Sequence, residues 1–196
     1  KDINLMIDVG AIWGTNLEEA QKRTKIFNDS NITWLEEPFF SDAFFEYSEL
    51  SKLTNIPLAG GESCHSIDSA KNMIRYGKVK FIQIDAGIVG GILAGKEICD
   101  FAEKNDVQYV NHTFTSHLQL SSSLQPYADS SKSMYAEFPQ QLKPLAWDLT
   151  KNHIEMDKNG HINLPTDIGH GMQINEKALK KYKVDVEIYV NKKKIF

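Results

Sequence analysis

The stretch TWLEEPFF, residues 33–40, runs from apolar residues straight into two adjacent carboxylates, Glu36 and Glu37, and then into Pro38. Its first half has the pattern of a β-strand. A strand that ends on two acids is either solvated there or directs a carboxylate at a binding site. The ends of the other strands in the chain distinguish these two interpretations.

Short apolar runs alternate with segments of helical periodicity through residue 139. Two helices have clear start signals, because Asn16 and Ser66 are suited to be N-caps. The strand runs are apolar on both faces, which favours a parallel sheet covered by helices, and therefore an α/β fold of about six βα units. Strands are expected at residues 5–10, 33–38, 56–63, 79–87, 107–112 and 134–139, and helices at residues 16–27, 44–53, 66–77, 92–105 and 117–128.

The composition excludes several classes of function. A chain of 196 residues that is 41% hydrophobic can bury one substantial core. Its net charge of −4 provides no electrostatic footprint for nucleic acid or an anionic membrane, and no apolar stretch approaches the ~18 residues of a membrane span. Two cysteines are too few for a disulfide framework and suit a reducing compartment. We therefore expect a cytoplasmic protein with neither nucleic acid nor membrane as a partner.

An ionisable side chain stands at the carboxyl end of every expected strand, at intervals of 23 to 28 residues. These side chains are Asp8, Glu36 with Glu37, Glu62, Asp85, His112 and Glu137. In a parallel barrel the carboxyl ends of the strands converge on one mouth, where active sites are built from several strands. A series of six is hard to attribute to solvation alone. Glu36 or Glu37 is therefore expected to face a shared site.

The residue types in this series indicate metal-assisted proton transfer. Asp8, Glu36 and Glu62 are hard oxygen ligands suited to Mg²⁺, and carboxylates this close would repel one another without a cation. Asp85 followed by His112 is an acid–imidazole pair, in which the carboxylate orients the ring and raises its basicity. A cation that gathers a substrate carboxylate beside such a base is suited to removing the proton α to that carboxylate.

Six motifs resemble, in order, segments of the barrel domain of the enolase superfamily: LMIDVG (5–10), TWLEEP (33–38), GGES (60–63), IQIDAGIVGG (82–91), NHTFTSHL (111–118) and YAEFP (135–139). The mandelate racemase/muconate lactonizing enzyme family is most similar, in its mandelate racemase subgroup with its acid-sugar dehydratases. The resemblance covers roughly residues 4–175. It implies Mg²⁺ held by Asp8, Glu36 and Glu62, a base dyad of Asp85 and His112, and a Glu137 that hydrogen-bonds the carboxylate region of the substrate.

Two assignments within this site stay open. The 27-residue step from Asp85 favours His112 as the base, whereas the family pattern, counted 20 residues back from Glu137, favours His117. We favour His112 and keep His117 as a catalytic candidate. Glu37 is expected to support its neighbours rather than to bind the metal.

The resemblance also implies a fold and a domain organisation. The fold is a (β/α)8 TIM-type barrel, here without the capping domain and the first strands, so we expect the chain to be part of a longer protein. Residues 1–150 would form the partial barrel. Residues 151–196 would form a C-terminal segment that returns toward the capping domain, with a hairpin around Asn159-Gly160, a final strand at 184–190 and a solvated basic tail.

The function expected from the resemblance is that of a Mg²⁺-dependent lyase which dehydrates a sugar acid. The enzymatic alternative is a racemase or epimerase of a hydroxy acid, because the same metal and dyad can return the proton once a second base exists. The alternative from another class is a non-catalytic barrel fragment. We expect a small hydroxy-acid or sugar-acid substrate, and a homo-oligomer in the full-length protein.

Overall fold

The computed structural model describes residues 3–27, 30–140 and 142–195. Five strands form one parallel sheet whose spatial order follows the chain, which confirms the α/β class. The strands are β1 (Leu5–Asp8), β2 (Ile32–Glu36), β3 (Leu58–Gly60), β4 (Phe81–Ile84) and β5 (Gln108–Asn111). The helices among them are α1 (Leu17–Phe27), α2 (Phe44–Leu53), α3 (Ile67–Asn72), α4 (Ala86–Val89) and α5 (Ile92–Lys104), and α6 (His117–Leu124) follows β5.

Side-chain caps fix where two of the helices begin. The Oδ1 atom of Asn16 accepts a hydrogen bond from the backbone N–H of Glu19 at 3.0 Å, just before α1. The Oγ atom of Ser66 accepts one from the N–H of Ser69 at 3.1 Å, and the Oγ atom of Ser69 accepts one from the N–H of Ser66. Each cap satisfies a backbone donor that has no partner within its helix. Both predicted N-caps are confirmed.

Strands β2 to β5 are largely buried on both faces, as is usual for a parallel sheet, whereas β1 is partly exposed. The outer face of the sheet joins the helices in the main core, through Leu35, Leu58, Ile82, Ile84 and Tyr109. Its inner face, defined here by Trp34, Ala59, Phe81 and Val110, forms a second apolar cluster. Because side chains alternate along a strand, Glu36 follows Trp34 onto the inner face, and Gln83 follows Phe81. On the inner face, Glu36 and Gln83 therefore lie nearer the carboxyl ends of the strands than the apolar cluster does.

The sixth strand expected at 134–139 is not formed. At the outer edge of β5, two backbone N–H groups donate to side-chain hydroxyls instead of to a neighbouring strand. The backbone N–H of Tyr109 donates to Ser133 Oγ at 3.1 Å, and the N–H of Asn111 donates to the hydroxyl of Tyr127 at 2.8 Å. Because these two donors already have partners, they are not available to pair with a sixth strand. The prediction of about six βα units is corrected to five strands.

The C-terminal segment contains short elements. They are α7 (Pro144–Asp148), α8 (Glu176–Tyr182), β6 (Tyr189–Val190) and β7 (Lys193–Lys194). The predicted final strand shrinks from 184–190 to β6, which pairs antiparallel with β7. The basic tail is exposed as expected, but it supplies the second strand of this hairpin rather than remaining free. Across the described ranges, no helix is both long enough and apolar enough to cross a membrane.

The predicted turn at Asn159-Gly160 is present, but its hairpin is reduced to one bridge between Met156 and Ile162. Gly160 adopts a positive φ of +84°, which the turn requires. The Oδ1 atom of Asp157 accepts from the backbone N–H of Asn159 at 2.8 Å and from that of His161 at 2.9 Å. This carboxylate satisfies two backbone donors of the turn, so the turn is held by its own side chain.

Tyr127 gives a test of how side chains close the edge of β5. Its hydroxyl accepts from the N–H of Asn111 and donates to the carbonyl of Tyr135 at 2.6 Å. Tyr127→Phe leaves both backbone groups unpaired, so we expect the free energy of unfolding to fall by about 1–3 kcal/mol. Urea denaturation of the full-length protein measures this loss. Tyr76→Phe is the control because Tyr76 is exposed, and an equally small effect in both variants would contradict the role of Tyr127.

Candidate active site

His112 lies between two carboxylates at the carboxyl end of the sheet. It directly follows β5, and its backbone N–H donates to the carbonyl of Ile84 at 2.9 Å, so it continues the ladder with β4. Its Nδ1 atom is 3.5 Å from Oδ2 of Asp85, and its Nε2 atom is 3.4 Å from Oε2 of Glu62. The structure thus brings together three residues that the sequence places 23 and 27 positions apart.

Burial and hydrogen bonding oppose each other at this dyad. Burial alone would raise the pKa of Asp85, but contacts with His112, Gln119 and the N–H of Gly87 hold its pKa below the usual value. Burial alone would lower the pKa of His112, but contact with Asp85 and the charges of Glu62 and Glu137 raise it. Asp85 is therefore ionised at neutral pH, and His112 is a stronger base than an isolated imidazole.

Asp8 and Glu36 stand side by side at the ends of β1 and β2, where they are partners in the strand register. The Oδ1 atom of Asp8 accepts from the N–H of Gly10 at 2.8 Å. The Oε2 atom of Glu36 accepts from the indole N–H of Trp34 at 3.0 Å. Each of these carboxylates thus has one oxygen held by a neighbouring donor.

Negative charge is concentrated around these residues. Burial, together with the charges of Glu62, Asp8 and Glu36, raises the pKa of Glu37 to about 7, although the charge of His112 opposes this rise. Burial also raises the pKa of Glu62, where the charge of His112 opposes those of Glu36, Asp8 and Asp85. The carboxyl groups of Glu37 and Glu62 are therefore harder to ionise than isolated ones. A bound cation would reverse this effect.

The donor set fits a magnesium ion in chemistry but is not arranged as a ligand shell. Asp8, Glu36 and Glu62 supply carboxylate oxygens from three adjacent strand ends, which are the ligands that Mg²⁺ prefers. Within the described part of the chain, no three His, Cys, Asp or Glu side chains are grouped closely enough to hold a metal ion. Their bonds to Gly10 and Trp34, and the contact of Glu62 with His112, direct these carboxylates elsewhere. Metal binding would require the side chains to turn.

Glu137 reaches the same region although it lies outside the strands. Its Oε1 atom accepts from the Nε2 of Gln83 at 2.7 Å, and Gln83 is fully buried on the inner face. Burial and the charge of Glu36 raise the pKa of Glu137 to about 7, although the bond from Gln83 opposes this rise. Glu137 can therefore exist as an acid that donates a hydrogen bond near neutral pH.

His117 lies apart from this cluster. Its ring is 1% exposed, and its Nδ1 atom accepts from the backbone N–H of Ile154 at 3.1 Å. The ring packs edge-on against Trp147 and His153, which stack on each other with centroids 3.8 Å apart. Burial, with the charge of His153, lowers the pKa of His117 to about 4. His117 is therefore neutral at physiological pH and holds the C-terminal segment against α6.

Three residues at the site were absent from the candidates chosen from sequence. Trp34 and Gln83 each lie two positions before a candidate acid, so the two-residue alternation of the expected strands could have identified them. Gln119 contacts Asp85 from α6, 34 positions away in sequence. No local pattern marks it, because its position depends on how α6 packs against the loop after β4.

Five parallel strands in chain order, with clustered acids and an imidazole at their carboxyl ends, are arranged as at the mouth of a (β/α)8 barrel. The chain belongs to the enolase C-terminal domain-like family, whose model matches residues 1–178. Its fold matches a crystal structure of a predicted mandelate racemase from Rhodobacter sphaeroides, with a TM-score of 0.91 and 39% identity over 100% of this chain and 50% of that one. The resemblance recognised in the sequence is confirmed.

Two curated relatives are similar over most of this chain. One is a D-galactarolactone cycloisomerase from Agrobacterium fabrum, 26% identical over 93% of this chain and 50% of the relative. The other is a D-gluconate dehydratase from Thermoproteus tenax, 26% identical over 94% of this chain and 37% of the relative. The chain spans half or less of the length of these curated relatives.

The pH dependence of stability tests the buried state of His117. The unfolded chain takes up a proton at this histidine near pH 6.5, whereas the folded chain does so only near pH 4. Folding is therefore disfavoured as the pH falls through this window, by up to about 1.4 kcal/mol per pH unit, and is unaffected above it. In His117→Asn, whose Oδ1 can still accept from Ile154, this contribution is absent.

The measurement is urea denaturation of both full-length proteins between pH 4 and pH 8. We expect the wild-type protein to lose stability relative to His117→Asn below pH 6.5. The comparison between the two proteins removes the contributions of the other titrating groups, which are common to both. A constant difference across the whole range would show that the ring protonates freely in the folded state.

Proposed function

We propose that the protein is an enzyme that removes the proton α to a carboxylate, and that its substrate is a sugar acid which it dehydrates. The observation that carries this proposal is the position of His112, with Asp85 on its Nδ1 side and Glu62 on its Nε2 side. A base held by a buried carboxylate on one side, and facing a group of acids on the other, suits proton abstraction next to a bound anion.

In this mechanism Asp85 determines which nitrogen of His112 acts as the base. A carboxylate can only accept hydrogen bonds, so the proton of the neutral imidazole stays on Nδ1 and leaves the lone pair on Nε2. Nε2 takes the α-proton of the substrate. The electron pair left on the α-carbon forms a double bond to the β-carbon as the bond to the β-hydroxyl breaks. The same imidazolium returns its proton to the departing hydroxyl, which leaves as water.

Asp8, Glu36 and Glu62 are the residues that would hold Mg²⁺, whose charge, when bound, would stabilise the carboxylate as it gains negative charge. Glu137 is assigned to the carboxylate region of the substrate. Its pKa of about 7 supports this role, since a protonated carboxyl group can donate a hydrogen bond to an anion. Glu37 is assigned a supporting role beside Glu36.

The named relatives support the dehydratase assignment at the level of reaction class. A D-gluconate dehydratase and an L-galactonate dehydratase are both 26% identical to this chain, over 94% and 91% of it. The second candidate is a racemase or epimerase of a hydroxy acid. It is favoured by the 39% identity to the predicted mandelate racemase from Rhodobacter sphaeroides. The homo-oligomeric state and the cytoplasmic location remain predictions.

Exchange of the substrate α-proton with deuterated solvent distinguishes the two candidate bases. In the full-length protein, His112→Asn is expected to abolish exchange, because no other group replaces Nε2. His117→Asn is the matched control and should retain exchange, because the wild-type His117 ring accepts a hydrogen bond from Ile154 and packs against Trp147, away from His112. Mass spectrometry of a sugar acid recovered from deuterium oxide measures the result. Loss of exchange in His117→Asn alone would assign the base to His117.

Titration calorimetry tests the metal assignment. Glu36→Ala in the full-length protein is expected to remove most of the affinity for Mg²⁺, because one of three carboxylate ligands is lost. Glu46→Ala is the control, since it removes an equal charge from the first turn of α2. Unchanged Mg²⁺ binding in Glu36→Ala would remove Glu36 from the set of ligands.

A further inference from the structure

The carboxylate of Asp85 divides its two oxygens between different partners. Oδ2 is the oxygen that faces Nδ1 of His112, at 3.5 Å. Oδ1 accepts from the backbone N–H of Gly87 at 2.8 Å and also from the side-chain amide of Gln119. The carboxylate is thereby clamped on the side away from the imidazole, and its rotation about the Cβ–Cγ bond is blocked.

Gln119 is itself held at both ends of its amide. The hydroxyl of Thr115 donates to Oε1 of Gln119, while Nε2 donates to Asp85. The orientation of the amide follows from this chemistry, because a carboxylate can only accept and the hydroxyl must then act as the donor. Ser116, the N-cap of α6, accepts from the backbone N–H of Gln119 at 3.4 Å and fixes the residue in the first turn.

The chain leaves space for this amide at Gly87. A Cβ atom added at Gly87 would lie 2.6 Å from both Cδ and Nε2 of Gln119, closer than real Cβ atoms approach other heavy atoms. The glutamine amide thus occupies the place that a side chain would take. Packing and hydrogen bonding independently place it against Asp85.

We propose that Gln119 is a positioning residue that holds the Asp85 carboxylate so that Oδ2 faces His112, and so keeps the imidazole proton on Nδ1. The role rests on the proposed function, since it matters for catalysis only if His112 is the base. A line of contacts then runs from Thr115 through Gln119 and Asp85 to His112. Two of these residues, Thr115 and Gln119, act without touching the substrate.

Gln119→Met tests this role, because methionine has a similar length and cannot donate a hydrogen bond. The readout is the tautomer of His112 in the full-length protein with Mg²⁺, measured by ¹⁵N nuclear magnetic resonance at a pH where the ring is neutral. The signal is assigned by its loss in His112→Asn. We expect a single Nδ1–H tautomer in the wild type and a mixture in Gln119→Met. The kcat should fall about tenfold or more, with KM within about twofold.

Ser122→Ala is the matched control on the same helix, since the Ser122 hydroxyl donates to the carbonyl of Leu118 within that helix. It should leave both the tautomer and kcat unchanged. Thr115 provides a second pair of variants at an exposed position, so that a folding defect in Gln119→Met cannot decide the test. Thr115→Val should shift the tautomer in the same direction, and Thr115→Ser, which keeps the hydroxyl, should restore it.

An unchanged His112 tautomer in Gln119→Met and Thr115→Val would overturn the positioning role. This outcome is distinct from a failure of the proposed function. If the wild-type protein exchanges no α-proton, the proposed reaction is wrong, but the tautomer comparison still decides whether Gln119 orients the dyad. A loss of kcat with an unchanged tautomer would count against the inference, because it would place the effect of Gln119 elsewhere.

Discussion

The parallel ladder of five strands is the constraint on which the site depends. In a parallel sheet every strand must end at the same edge, so any charged residue placed there is close to the others. In this chain the register pairs Asp8 with Glu36, and the ladder from β4 to β5 extends to His112. The backbone register therefore brings the charged residues to one edge of the sheet. The hydrogen bonds and protonation of their side chains determine how strongly they repel one another.

The protein tolerates this charge in two ways. His112 lies between Asp85 and Glu62, and their negative charges favour its protonated form. The carboxyl groups of Glu37 and Glu137, with pKa values raised to about 7, can remain protonated near neutral pH. Both arrangements make the net negative charge of the site smaller than the number of its carboxyl groups suggests. A cation that entered the mouth would compete with these protons and with His112, so binding of metal and release of protons are coupled.

The residues that sequence could identify are those fixed by the ladder. Asp8, Glu36, Glu62, Asp85 and His112 follow from strand length and spacing alone, because one βα unit has a nearly constant length in this chain. The sixth strand could not be excluded in this way. Residues 134–139 have a strand-like pattern, but Tyr127 and Ser133 already occupy donors at the edge of β5. Gln119 was equally hidden, because the contact of its amide with Asp85 is set by tertiary packing.

Glu137 shows how a residue can reach the mouth without a strand to carry it. The buried side chain of Asn111 donates to the carbonyl of Glu137 at 2.9 Å and accepts from its N–H at 3.1 Å. One side-chain amide thus reproduces the two hydrogen bonds that a neighbouring strand would offer. The spacing from His112 therefore predicts correctly that Glu137 lies at the mouth, although residues 134–139 do not form a strand. His112 follows Asn111 directly, and Glu137 is hydrogen-bonded to the Asn111 side chain. The level of both residues along the sheet is therefore set by Asn111, the last residue of β5, whose own position is fixed by the ladder.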